Sequence, residues 1–222
     1  MNWISRILSI ALLGIMSASC LTIKESYVFK KNGSGTMHYQ IDMSEMAMLL
    51  KSAIEEDEEA SAGVSEMDLS DIAAKLSDVS GISNVKHEQN MEEFIFDVSF
   101  KFKDIQSLNE ALSVVFKQSE ESGQTPPSFS WDGNKVTRTH SLSGELTDGF
   151  LDGEDEESEQ ARMFLGQMTY EIDYTFAKPI KVVYGPESAQ VGGKKDRELK
   201  VSSSFLELAE TQDRLGTTIV LK

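Results

Sequence analysis

FIFDVSFKF, residues 94–102, places Phe94, Phe96, Val98, Phe100 and Phe102 on one side of an extended chain and Ile95, Asp97, Ser99 and Lys101 on the other. Period two with one apolar and one mostly polar side is the pattern of a strand in an antiparallel sheet that buries a single face. A sheet with one buried face needs a covering layer, and the flanking sequence supplies helices. Asp104 stands at an N-cap position before Ile105, Leu108, Leu112, Val115 and Phe116, spaced by three and four. Upstream, Leu69, Ile72, Leu76 and Val79 follow Asp68 with the same spacing, and Gly81 ends the run.

Further out, hairpins alternate with these helices. Tyr27 and Phe29 lead into Lys31-Asn32-Gly33-Ser34-Gly35, after which Met37, Tyr39 and Ile41 alternate with Thr36, His38 and Gln40. Asp42 precedes Glu45 by three, as in a capping box, ahead of Met43, Met46, Leu50, Ala53 and Ile54. Asp132-Gly133 lies between alternating residues of 129–138, which predicts a second hairpin after a polar loop over 118–128. Ala161, Phe164, Leu165 and Met168 suggest a short helix. Tyr170 to Phe176, Ile180 to Tyr184, Leu199 to Phe205 and Thr217 to Leu221 then read as strands. The expected fold is α+β: antiparallel hairpins with inserted helices packed on the sheet, in a single domain over 27–222.

The N-terminus carries an address. Ile7 to Met16 is apolar after a short basic start, the small trio Ser17-Ala18-Ser19 follows, and then comes Cys20, the only cysteine of the 222 residues. The segment resembles a bacterial lipoprotein signal peptide over 1–19, which makes Cys20 the lipidated residue and 20–26 a lipidated tether. The position three before Cys20 is Ser17 where that signal usually has an aliphatic residue, and an ordinary signal peptidase would accept the same bond. Both readings export the chain. An apolar run of ten is too short for a membrane span of about 18 or more. Leu21-Thr22-Ile23-Lys24 lacks an acidic run after the cysteine, so a periplasm-facing, lipid-anchored domain of the cell envelope is expected.

Cys20, the aromatic strand and Gly-rich turn behind it, the segment Ile41-Asp42-Met43-Ser44 and the distal order Tyr170–Phe176, Val191-Gly192-Gly193, Leu199–Phe205 together resemble the LppM-like bacterial lipoproteins. Phe176-Ala177-Lys178-Pro179 departs from the Phe-Pro-Gly motif of that family. The resemblance implies an exported α+β domain with a role at the envelope, and it brings no catalytic residues with it.

Charge narrows the function. Lys and Arg number 21 against 37 Asp and Glu, a net charge of −16, and without Arg6 the balance is 20 against 37, or −17. So acidic a chain is a poor partner for nucleic acid. A lone cysteine excludes a disulfide framework and multi-thiolate metal sites. The three histidines, His38, His87 and His140, form no ligand-spaced pair. Gly192-Gly193-Lys194 lacks the spacing and the following helix of a phosphate loop. A calcium loop counted from Asp148 has Phe150 in a ligand place, so neither metal nor cofactor is expected. Against the general charge, Lys178, Lys181, Lys194, Lys195, Arg197 and Lys200 form a basic island, which suits anionic lipid or an acidic envelope protein. Three readings stay open: a non-catalytic binding or adaptor domain, a lipid or hydrophobic-ligand carrier, and a hydrolase working through carboxylates. The adaptor needs only a fold and a surface, and is preferred. Cys20→Ala is expected to abolish incorporation of a clickable fatty acid and to release the protein from membranes. Label retained by the variant overturns the assignment.

Overall fold

A computed structural model describes residues 20–56, 69–116, 125–141, 156–210 and 215–222. Among these described residues, eleven strands form two sheets. The larger has seven strands in the order β3-β4-β2-β1-β7-β10-β9, the smaller four in the order β5-β6-β11-β8. The strands are β1 Leu21–Phe29, β2 Gly35–Asp42, β3 Ile82–Asn90, β4 Ile95–Phe102, β5 Thr125–Trp131, β6 Lys135–Ser141, β7 Met168–Phe176, β8 Ile180–Tyr184, β9 Gln190–Gly192, β10 Glu198–Ser204 and β11 Thr217–Leu221. Helices α1 Ala47–Glu56, α2 Leu69–Asp78, α3 Ile105–Val115, α4 Glu156–Gln167 and α5 Phe205–Glu210 connect them. The single α+β domain expected from the sequence is the fold observed.

The alternation of 94–102 survives as β4, with Phe96, Val98, Phe100 and Phe102 all buried. Phe94 stands just before it at φ 53°. Asp104 caps α3 as expected, its Oδ1 accepting from the Ser107 backbone at 2.9 Å. That bond and the Ser107 hydroxyl hold the Asp104 carboxyl below its usual pKa. The capping box at Asp42 becomes a tighter start: Asp42 Oδ1 accepts from the Ser44 backbone at 3.0 Å, and a 3-10 turn over Ser44–Met46 precedes α1. Met43, Ala47, Leu50 and Ile54 then pack on Leu69, Phe94 and Phe96.

Four expectations need correction. The tether over 20–26 is not slack, because Leu21–Ser26 is the first two thirds of β1, bonded on both sides by β2 and β7. The sheet is not wholly antiparallel, because β1 pairs with β7 in parallel from Leu21↔Met168 to Phe29↔Phe176. The polar loop ends earlier than expected. Thr125 already pairs with Ser141, and Pro126 and Pro127 sit where the register shifts, on an edge strand that tolerates residues without an N–H. Phe205 opens a helix where a strand was expected. The sequence also hides β3, an edge strand whose residues are mostly exposed on both faces and so show no period.

The two sheets meet face to face through aromatic rings. Tyr27 and Phe29 of β1 contact Phe129 of β5 at centroid distances of 4.9 and 5.7 Å, and Phe29 stacks on Trp131 at 5.6 Å. Among these rings lies a buried ion pair. Arg138 Nη2 of β6 donates to Glu25 Oε1 of β1 at 2.7 Å, and neither side chain has any exposure. Both tyrosines beside it, Tyr27 and Tyr170, donate their hydroxyls to Glu25. Arg138 Nη1 donates to the Leu215 carbonyl at 3.1 Å, and Nη2 also reaches His140 Nδ1 at 3.1 Å.

Removing one member of such a pair leaves the other charge buried without its partner. Glu25→Leu and Arg138→Met are each expected to lower stability by about 3–5 kcal/mol. The double variant is expected to lose clearly less than their sum. Chemical denaturation in a double-mutant cycle checks it, and additive losses refute the coupling.

Candidate functional site

Parallel pairing of β1 with β7 gives the seven-stranded sheet two chemically different ends. At one end β1 begins, β2 and β10 finish, and β7 emerges from α4. Cys20 lies here, half-buried. Its backbone N–H donates to the Gln167 carbonyl at 3.1 Å and its thiol to Gln167 Oε1 at 3.0 Å. Thioether attachment of a lipid removes the thiol hydrogen and with it the bond to Gln167 Oε1, but an acylated N-terminal nitrogen keeps an N–H, so the backbone bond is compatible with a lipidated Cys20.

The other end lies nine residues along β1, roughly 30 Å away at about 3.3 Å per residue. Five of the six residues of the sequence-predicted island come together there. The Phe176 N–H donates to the Arg197 carbonyl at 2.9 Å and the Ile180 N–H to the Asp196 carbonyl at 2.8 Å, which lays the β9–β10 turn against the β7–β8 connection. Lys181, Lys194 and Lys195 are exposed, and Lys178 donates to Asn134 Oδ1. Gly193 at φ 74° and Lys195 at φ 66° shape the turn that presents them. Arg197 is only half exposed, and its Nε is buried without a hydrogen-bond partner. It is therefore a structural part of the turn, not the free loop cation expected from the sequence. Lys200 leaves the group. It lies on the outer face of the sheet and donates to Glu171 at 2.9 Å, a bond that raises its pKa.

The sequence missed how far this basic end extends. Lys30 and Lys31 in the β1–β2 turn, Lys101 and Lys103 at the end of β4, Lys135 after the β5–β6 turn and Lys222 are all exposed at the same end. With the five island residues they make eleven of the twenty Lys and Arg that follow Cys20. The signal was present but scattered, since turns far apart in sequence meet only through the strand order.

The outer face of the sheet is polar and closely paired. Lys24 bridges Asp173 at 3.0 Å, and His38 pairs with Asp97 across β2 and β4. His38, Lys86, His87, Glu88, Asp97 and Ser99 line an open groove of about 550 Å³. His38 lies on the polar face, as its parity predicts. A His–Asp pair can orient a general base, and among the described residues this one sits on an open sheet face. A second hollow of about 380 Å³ along β7, β9 and β10 includes Asp173, Glu198 and Lys200 in its lining. Among the described residues, no group of three or more His, Cys, Asp or Glu could hold a metal ion. Residues 148–155 of the calcium-loop register disfavoured above lie outside the described residues, whereas Glu156 and Glu159 belong to α4.

The cluster around Glu25 is the other concentration of titratable groups, and its electrostatics are those of a scaffold. Burial, then the neighbouring Glu25, raises the Tyr27 and Tyr170 hydroxyls well above their usual pKa. Burial alone would lower Arg138, but Glu25 and the tyrosines outweigh it and keep the guanidinium charged. His140 is lowered to about 2, first by burial and then by Arg138. Folded His140 therefore stays neutral where the unfolded chain takes up a proton. Its contribution is complete above about pH 6.5 and is lost at about 1.4 kcal/mol per pH unit below that. His140→Asn keeps an acceptor for Arg138 without titrating. The variant is expected to flatten the stability curve by about one proton between pH 6 and 4, and an unchanged slope refutes the assignment.

No protein-family profile and no curated protein matches the chain. Among the described residues, no helix is long and apolar enough to cross a membrane. Among solved structures, the NMR structure of the LppM folded domain of Mycobacterium tuberculosis is similar, with a TM-score of 0.45 and 9% identity over 93% of this chain and 91% of that one. The similarity transfers no family membership, no ligand and no residue role to this chain.

Proposed function

We propose that this chain is an envelope lipoprotein, acylated at Cys20, whose domain faces the periplasm as a non-catalytic adaptor and offers its basic end to an acidic protein partner. The observation that carries this reading is the position of Cys20 and the basic end at opposite ends of β1. The sequence leaves the target of the basic residues open between anionic lipid and an acidic partner. With Cys20 held at the fold, cations roughly 30 Å away are badly placed to reach the headgroups of the bilayer that holds the acyl chain. Electrostatic contact in the periplasm is also short-ranged, about 8 Å at physiological salt. A partner that comes to the basic end fits both constraints.

Lys181, Lys194 and Lys195 are the island residues that are exposed and free of a described side-chain partner, so they test the reading best. Changing all three to Glu is expected to reduce capture of the partner from native membranes at least about ten-fold, as does raised salt. The melting temperature should move by no more than about 2–3 °C, because exposed surface changes cost little. Arg197 stays in place because of its buried Nε. Unchanged recovery from the triple variant refutes the reading. Capture replaced by binding to anionic vesicles redirects it to the surface of an opposing membrane.

A further inference from the structure

The described residues expose eight large apolar side chains, and five of them gather at the Cys20 end. Met48 and Leu49, 85% and 70% exposed, stand in the first turn of α1, which follows the strand end paired with Thr22. Met163 and Phe164, 62% and 44% exposed, stand in the last turns of α4, whose Gln167 holds Cys20. Met91, 43% exposed, occupies the β3–β4 turn at the same end. The other three, Val28, Tyr184 and Val191, lie elsewhere. Folding gains nothing by leaving such side chains in water, and a concentration of them marks a surface that something covers.

From this geometry we infer that the five side chains seat the domain on the bilayer, entering the boundary between headgroups and acyl chains around the lipid on Cys20. The inference rests on acylation at Cys20 as proposed above. What identifies the occupant is the length of chain between the attachment point and the fold, which is zero: Cys20 is bonded to Gln167 and Leu21 is already in the sheet. A lipid on Cys20 draws this end of the domain down to the membrane, and the residues that meet the membrane first are these five. Their buried apolar area adds to the lipid anchor and fixes how the domain sits on the bilayer. Lys51 and Arg162 on the same two helices are outnumbered by Glu45, Glu92, Glu93 and Glu207 at this end, so attraction to anionic headgroups does not drive the contact. Raised salt should leave it intact, unlike binding at the basic end.

Trp131 supplies an internal control. It packs on Phe29 at the basic end and is the only tryptophan after Cys20. Met163→Trp and, separately, Leu49→Trp are expressed from the full sequence and reconstituted in phosphatidylethanolamine–phosphatidylglycerol vesicles containing shallowly brominated lipid, with Trp3→Phe in place so that any unprocessed protein adds no signal. Each new tryptophan is expected to lose roughly half its emission while Trp131 alone loses almost none. Two positions on different helices guard against one variant misfolding. Fatty-acid labelling is read on the same samples. Acylated protein with both new tryptophans unquenched overturns the seating and leaves the lipid anchor standing. Quenching without acylation supports the apolar contact and overturns the anchor. Neither signal overturns both. Loss of quenching together with cross-linking between copies through residue 49 or 163 assigns the surface to a dimer and overturns membrane seating.

Discussion

Everything between the two sheets depends on Glu25 and Arg138 meeting without water. A carboxylate and a guanidinium at 2.7 Å with no exposure on either side chain are tolerable only when their remaining bonding capacity is met. Here the surroundings largely meet it. Tyr27 and Tyr170 donate to the acid, while Leu215 and His140 accept from the base. Strands β1, β6 and β7 are therefore fixed relative to one another by directional bonds as well as by packed rings. A one-residue slip of β1 would turn Glu25 to solvent, leave Arg138 uncompensated and rotate Tyr27 and Phe29 out of the core. The pair thus specifies register, a role that apolar packing performs less sharply.

That register has a consequence for function. With β1 held between β2 and β7, its first residue is pinned at one edge of the sheet, and the parallel β7 delivers α4 to the same edge. Cys20 and the exposed side chains of α1 and α4 are neighbours for this reason. At the opposite end, five connections and the C-terminus converge with eleven cations on a protein whose overall charge is strongly negative. One strand therefore separates an apolar, acid-rimmed end beside the candidate lipid from a basic end that faces away. An adaptor needs this polarity: one end to be held and the other to be used. Among the described residues, the 550 Å³ groove on the outer face is an open, polar-lined depression.

Much of the secondary structure is legible in the sequence because parity and helical spacing are local. Phe94 to Phe102, the cap at Asp104, the Asp132-Gly133 turn and the alternation of Tyr170 to Phe176 are each readable within a dozen residues, since the physical cause lies within the same span. The misses have equally local explanations. The exposed edge strand β3 has no buried face to impose a period. Leu21 to Ser26 begins with mixed polarity and hides its inward Glu25, because a charged residue on a core-facing parity normally argues against burial. Parity still carried a clue: Glu25, Tyr27 and Phe29 lie two apart, as do Val136, Arg138 and His140, and a buried acid on one strand needs a base on another.

Sequence alone settles the lone Cys20, the α+β class and most of the strands, because each follows from composition or from spacing along a few residues. Strand order is a different matter. That β1 pairs in parallel with a strand about 150 residues away, that Glu25 finds Arg138, and that scattered lysines gather while Lys200 is drawn off to Glu171 are contacts between distant parts of the chain. No local pattern encodes them. They follow from burying every aromatic face and pairing every buried charge at once, and only the folded molecule satisfies those demands together.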